Sequence, residues 1–431
     1  MDAFDIQNGV LVKYRGNDAT VHIPQGVSAI DEFAFYGNEN LVELKMSPDV
    51  VKVGDSAFYG CENLQSVTFS DRLAEIQSDA FSNCERLASL ALPASLRKIG
   101  YSAFNGCAIR EAIIPDGVQE IGDEAFTFCE NLESVFIGKN VAVIGSAPFG
   151  YNERLQKIDI HPQNKKFVFR NGCLIDTQEK ALLQTLETFE IPDDGSVTVL
   201  HEGALAGHDG LKSFELPAFI TRIANGRAFA DCHNLRKLTV ARGNKRYYSQ
   251  NDCIIDGTEG RLVFGLDPER IPNTDNIKII GMGAFMETSG ATRIVLPRGV
   301  EEICDFVFYD FSRLQTVKLP DTLRVIGNNA FTDCAQLQSV HLGAGVKTIG
   351  EWAFSGCKSL REIEFPASLQ RIGAYAFNEV PLQTAKFQAP KHWTACAYRK
   401  PPVKAKLKNP KKAAQLLTQE SSEIYFERTD T

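Results

Sequence analysis

Cysteine recurs in this chain at a spacing that raises a chemical question. Cys61, Cys84, Cys107 and Cys129, then Cys232, then Cys334 and Cys357, each follow a phenylalanine by three residues. Thiols in a row could ligate a metal or exchange disulfides, but those chemistries need close C-x-x-C pairs or a mixed histidine cluster, and neither occurs. What is left is a ladder of buried thiols, each a small apolar group with a weak donor aimed at turn backbone. Cys173 and Cys253 read as core, Cys304 stands where other units carry glycine, and Cys396 reads as the exposed thiol. The seven histidines are scattered; His201 and His208 miss the i, i+4 spacing of a zinc-protease helix, and His341 reads as a surface strand position. Nucleophile-elbow, phosphate-loop and dinucleotide motifs do not occur. The expectation is therefore a non-enzyme, with no catalytic residues, no metal and no cofactor.

The elements that position these thiols explain their spacing. Phenylalanines 35, 58, 81, 104, 126 and 149 follow one another at 22 or 23 residues, and 285, 308, 331, 354 and 377 at 23. Leu205 and Phe229 fall between, 24 apart, and each of the two longer gaps is 56 residues, one repeat plus 33. LPASLRKIGYSAFNGC at 92–107 is nearly rewritten as FPASLQRIGAYAFN at 365–378. A fixed period of this kind means stacked coils, each unable to bury its apolar face alone. Within a coil, Leu90 and Leu92 alternate like a strand with one buried face, and Pro93 removes a backbone donor and ends it. A second short strand, 96–99, stops at Gly100, and Ala103-Phe104 returns the chain inward. Equivalent strands stacked ~4.8 Å apart form parallel ladders, with the phenylalanines piled into a spine.

The full unit, L-x-x-L-x-L-P-x-S-L-x-x-I-G-x-x-A-F-x-G-C, closely resembles the BspA-like family of leucine-rich repeats over residues 4 to about 390. The resemblance implies a curved right-handed solenoid with long strands on the concave face and short strands opposite. It also implies proteins of bacterial or protist surfaces, several of them adhesins.

Two insertions match each other, FVFRNGCLIDTQEKALL at 167–183 and YYSQNDCIIDGTEGRLV at 247–263, and FDIQNGVLVKY at 4–14 is a shorter version. The Asn-Gly or Asn-Asp pair predicts a two-residue hairpin turn in each. The expected organisation is a hairpin plus six repeats over 1–160, a hairpin plus two over 161–240, and a hairpin plus five over 241–390. A basic segment, 391–431, follows. Residues 381–419 hold nine Lys or Arg and no acid, and Asn409-Pro410 predicts a short helix. This segment is expected to be solvated, dispensable for folding, and able to dock on an anionic surface.

The surface leaves one candidate site. In L-x-x-L-x-L the fifth residue points outward on the concave side. That column is polar along most of the chain but apolar on three consecutive coils, at Ala91, Ile113 and Phe136, with Arg110, Glu111 and Glu133 as a polar rim. An aliphatic ladder on a β surface is the competing reading. Two functions stay open: a surface binding protein, adhesin-like by resemblance, whose concave face receives a protein or glycan, and an intracellular scaffold. The net charge of −8 argues against nucleic acid as partner. No apolar run is long enough to span a membrane, and the first residues lack a leader pattern, which at face value means a soluble, intracellular chain.

Overall fold

The computed structural model describes residues 3–286, 290–391, 393–397, 400–404, 407–418 and 424–428. It divides into two compact units, Met1–His208 and Asp209–Thr431. Each is a β-solenoid.

In the first unit six of the short strands form one ladder. Ala29–Ile30, Lys52–Val53, Glu75–Ile76, Lys98–Ile99, Glu120–Ile121 and Val143–Ile144 pair parallel in that order. Each presents one isoleucine or valine inward, as period-two alternation requires. The I-G glycine has a steric cause: a Cβ on Gly100 would lie 2.5 Å from the Gln77 carbonyl carbon one coil below. The corners add a ladder of their own, with the Phe58, Phe81 and Phe104 amides donating to the Ala80, Ala103 and Ala125 carbonyls. Between these ladders the anchor rings stack. Successive centroids from Phe35 to Phe149 are 4.7 to 5.8 Å apart, and in the second unit those from Phe285 to Phe377 are 5.1 to 5.7 Å apart.

The hairpins form where their turn residues put them. Phe4–Gln7 pairs antiparallel with Val10–Tyr14, Phe167–Arg170 with Cys173–Asp176, and Tyr247–Gln250 with Cys253–Asp256. Both turn residues have positive φ in each, 52° and 78° at Asn8-Gly9. That is the geometry a type I′ turn demands. Asp176 and Asp256 then make the second turn by accepting from amides two and three residues on. Each hairpin also joins the spine or its ladder. Tyr14 stacks on Phe35 at 4.9 Å, and Phe264 stacks on Phe229 at 4.8 Å.

The segment after residue 390 departs from expectation. Strand Ile424–Arg428 pairs antiparallel with the last short strand, Arg371–Ile372, and with Trp393–Ala397. The helix Pro410–Leu417 does form, with Asn409 accepting from the Lys411 and Lys412 amides. It packs on strand Thr384–Phe387, and Ala413, Ala414 and Leu417 join the core with Trp393, Leu407 and Phe426. A composition read as solvated thus supplies a folded cap, because Trp393, Leu407, Ala413, Ala414, Leu417 and Phe426 pack on the last coil. Arg399, Lys406 and Gln419 of the basic run lie outside the described residues.

Candidate binding face

The long strands carry the outward column. In the first unit they form two sheets, Thr20–His22 with Glu43–Lys45 and Ser66–Thr68, and Glu111–Ile114 with Ser134–Ile137 and Lys157–Ile160. In the second sheet Ile113, Phe136 and Asp159 are aligned in register. Inward neighbours Ala112, Ile114, Val135 and Ile137 are buried, which leaves Ile113 half exposed in solvent. Phe136 is half-buried and meets the edge of His161 at 6.3 Å. Arg110 Nε lies 3.0 Å from Glu133 Oε2, and Lys157 pairs with Asp159. Glu111 is exposed on the same face as Ile113.

Ala91 does not join this group. It is exposed, but residues 88–92 form no strand, and Leu90 and Leu92 are only partly buried. The neighbouring coil is also shorter by one residue. Five residues separate Cys107 from the buried Ala112, where six separate Cys84 from Leu90. The expected three-strand apolar column is a two-strand patch. His161, which the sequence reading did not include, stands on its far side.

A second concavity lies in the other unit. Strands Ser339–His341 and Glu362–Phe365 belong to separate sheets, and the gap between them is a cavity of about 460 Å³. Gln338, His341, Glu362, Glu364, Lys386 and Gln388 line it. Reading the column as an unbroken ladder hides such a gap.

The thiols are structural. Those of Cys61, Cys84, Cys107, Cys129, Cys334 and Cys357 are buried, and each donates at 3.2 to 3.3 Å to the carbonyl of the anchor one coil back. Burial pushes Cys61, Cys129 and Cys334 up to about 12, so the reactive thiolate is scarce at neutral pH. Cys232 corrects the expectation: it is half-exposed, as are Cys304 and Cys396. Cys304 accepts from Arg261 Nη1 at 3.4 Å, yet burial raises it to about 11. A thiol reagent without denaturant should therefore modify at most Cys232, Cys304 and Cys396, and prompt labelling of Cys84 or Cys107 would contradict the ladder.

His208 is also a core residue. It is buried, with Nε2 2.8 Å from the Leu186 carbonyl and 3.0 Å from the Thr185 hydroxyl. Among the described residues no group of three or more His, Cys, Asp or Glu could hold a metal, and no helix is long and apolar enough to cross a membrane.

Short inner ladders, a phenylalanine spine and outward-facing long strands define a leucine-rich repeat solenoid. The model of the BspA type leucine-rich repeat region matches residues 13–78, 51–174, 121–251 and 278–398, and the chain belongs to that family. Among solved structures, it is similar to a leucine-rich repeat protein from Bacteroides ovatus, at 28% identity over 88% of each chain with a TM-score of 0.42. A leucine rich cell surface protein from Faecalibacterium prausnitzii is 21% identical over 89% of this chain and 91% of its own, with a TM-score of 0.37. A leucine-rich repeat protein from Eubacterium ventriosum is 19% identical over 86% and 88%, with a TM-score of 0.40. No curated protein matches the chain.

Proposed function

We propose that the protein is a non-enzymatic binding protein whose long-strand face in the first unit receives a protein partner, in an adhesin-like role at a cell surface. One observation carries the reading: Ile113 and Phe136 stand side by side, facing outward, on a column that is polar at most other coils, Ala91 and Val295 excepted. An apolar centre rimmed by charge, here Glu111 and the Arg110–Glu133 pair, is the usual anatomy of a protein contact. The rim pair is exposed and contributes little energy, so Phe136 is the anchor. A rigid stack of coils presents this patch without a gating step.

A ligand found by pull-down should bind Phe136→Asp about thirtyfold more weakly, equivalent to ~2 kcal/mol at a central aromatic contact. Lys318→Asp, outward on the second unit, serves as control, with circular dichroism confirming both folds. Full affinity in Phe136→Asp with loss in Lys318→Asp would move the site to the second unit. Capture of a glycan through other residues would replace the protein-partner reading.

A second reading, an intracellular scaffold, is favoured by the cysteines. None of the eleven is joined in a disulfide, as a reducing compartment would keep them.

A further inference from the structure

The first unit has another surface, built differently from its strand face. The corners of the first two coils, DEFAFYGNENL at 31–41 and GDSAFYGCENL at 54–64, carry three aromatic rings besides the anchors. Phe33 is 47% exposed, Tyr36 is 51% exposed and Tyr59 is half-buried. Phe33 meets Tyr36 edge-on at 5.6 Å, and Tyr36 stacks on Tyr59 at 5.2 Å with ring planes 6° apart. Local preference does not account for Phe33. Its φ is 55°, a region that disfavours bulky side chains. The next three coils place Ser56, Asp79 and Ser102 at this position with the same left-handed backbone, whereas Phe306, Trp352 and Tyr375 hold it in the second unit.

Within these two stretches charge is one-sided. The two stretches contain Asp31, Glu32, Glu39, Asp55 and Glu62, all exposed, and no Lys, Arg or His. Among the described residues none of these five takes part in an ion pair. Acids elsewhere in the unit do pair, as in Lys45–Glu43, Lys98–Glu120 and Arg110–Glu133. The Asp55 carboxylate accepts from the Ser78 amide at 2.9 Å, and the Asp55 carbonyl accepts from the Phe33 amide. In the third coil Asp79 is pushed up by burial, then by the charges of Asp55 and Glu124. Lys13, from the N-terminal hairpin, reaches this corner and donates to the Phe33 carbonyl at 2.9 Å.

Rings and charge together select the occupant. Aromatic faces attract cations through the ring quadrupole, and unpaired carboxylates add to that attraction. An anionic surface would be repelled, and a neutral glycan would gain nothing from five acids. We propose that this corner docks a lysine- or arginine-rich segment of a partner polypeptide, its cations over Phe33 and Tyr36 and paired with the flanking acids. The surface is distinct from the strand face, so each can fail without the other.

The test uses the full chain and a dye-labelled peptide alternating arginine and glycine, followed by fluorescence anisotropy in about 0.15 M salt, where long-range attraction is screened. Phe33→Asn with Tyr36→Ser and Tyr59→Ser leaves the charge unchanged and should weaken binding about tenfold. Glu32→Gln with Asp55→Asn and Glu62→Gln should also weaken it. A remote set, Glu179→Gln, Glu187→Gln and Glu190→Gln, should not. Unchanged binding in the aromatic variant overturns the proposal. So does equal loss in the remote set, which would mean bulk attraction of a polycation to a chain of net charge −8. Should the triple aromatic variant lose its fold by circular dichroism, Phe33→Asn with Tyr36→Ser carries the same expectation and the same refutation. Phe136→Asp should bind this peptide like the parent.

Discussion

Removing residues 391–431 is expected to lower the melting temperature of the second unit by on the order of 10 °C. The segment buries Trp393, Leu407, Leu417 and Phe426, each 5% exposed or less. Large apolar side chains contribute ~1.5–3 kcal/mol apiece when buried, and ordering the segment offsets part of that gain. A net loss of about 3–4 kcal/mol corresponds to that shift for a unit of this size. Truncation also uncovers strand Arg371–Ile372, whose open side Ile424–Arg428 now occupies. Unpaired strand edges recruit other chains, so the shortened protein should self-associate as well. Differential scanning calorimetry with gel filtration reads both effects. An unchanged midpoint in a monomeric product would show that the cap adds nothing to the solenoid.

Phe104→Ala should destabilise the first unit as a whole by ~3–5 kcal/mol, near the upper end for an emptied core site. Phe104 is fully buried and stacks on both sides, on Phe81 at 5.5 Å and Phe126 at 5.2 Å. Substitution leaves a void between two coils that each depend on their neighbours, and solenoid stability is close to a sum of such interfaces. Phe377 differs. It stacks on Phe354 and meets Phe365 edge-on, with no further anchor beyond it. Phe377→Ala should therefore cost less and act on the second unit. Denaturant unfolding followed separately in the two variants tests this. A loss below about 1 kcal/mol for Phe104→Ala would exclude the spine as the main source of cohesion.

Much of this architecture was legible because each feature rests on short-range chemistry. The 23-residue period exposes the coils, Asn8-Gly9 and Asn171-Gly172 dictate their hairpin turns, and Asn409-Pro410 marks the helix start. The candidate face was half legible. Ile113 and Phe136 follow from alternation along a strand, but the displacement of Ala91 depends on whether adjacent strands can meet. Phe33 stands where most coils carry a small or polar residue, but nothing in the sequence places its ring beside those of Tyr36 and Tyr59.

By itself the sequence determined the repeat, its anchors, its turns and the inward or outward sense of each strand residue, because those depend on neighbours a few positions away or one period along. Only the tertiary structure decided that a basic, proline-broken segment folds as a cap, since its apolar residues find burial only once the last coil exists beneath them. It alone gathered Phe33, Tyr36 and Tyr59 among acids without counter-ions. It alone left Cys232 half-exposed while its counterparts were sealed. The cap rests on contacts whose separation carries no periodic signal, while Tyr36 and Tyr59, one period apart, meet only because the coils stack.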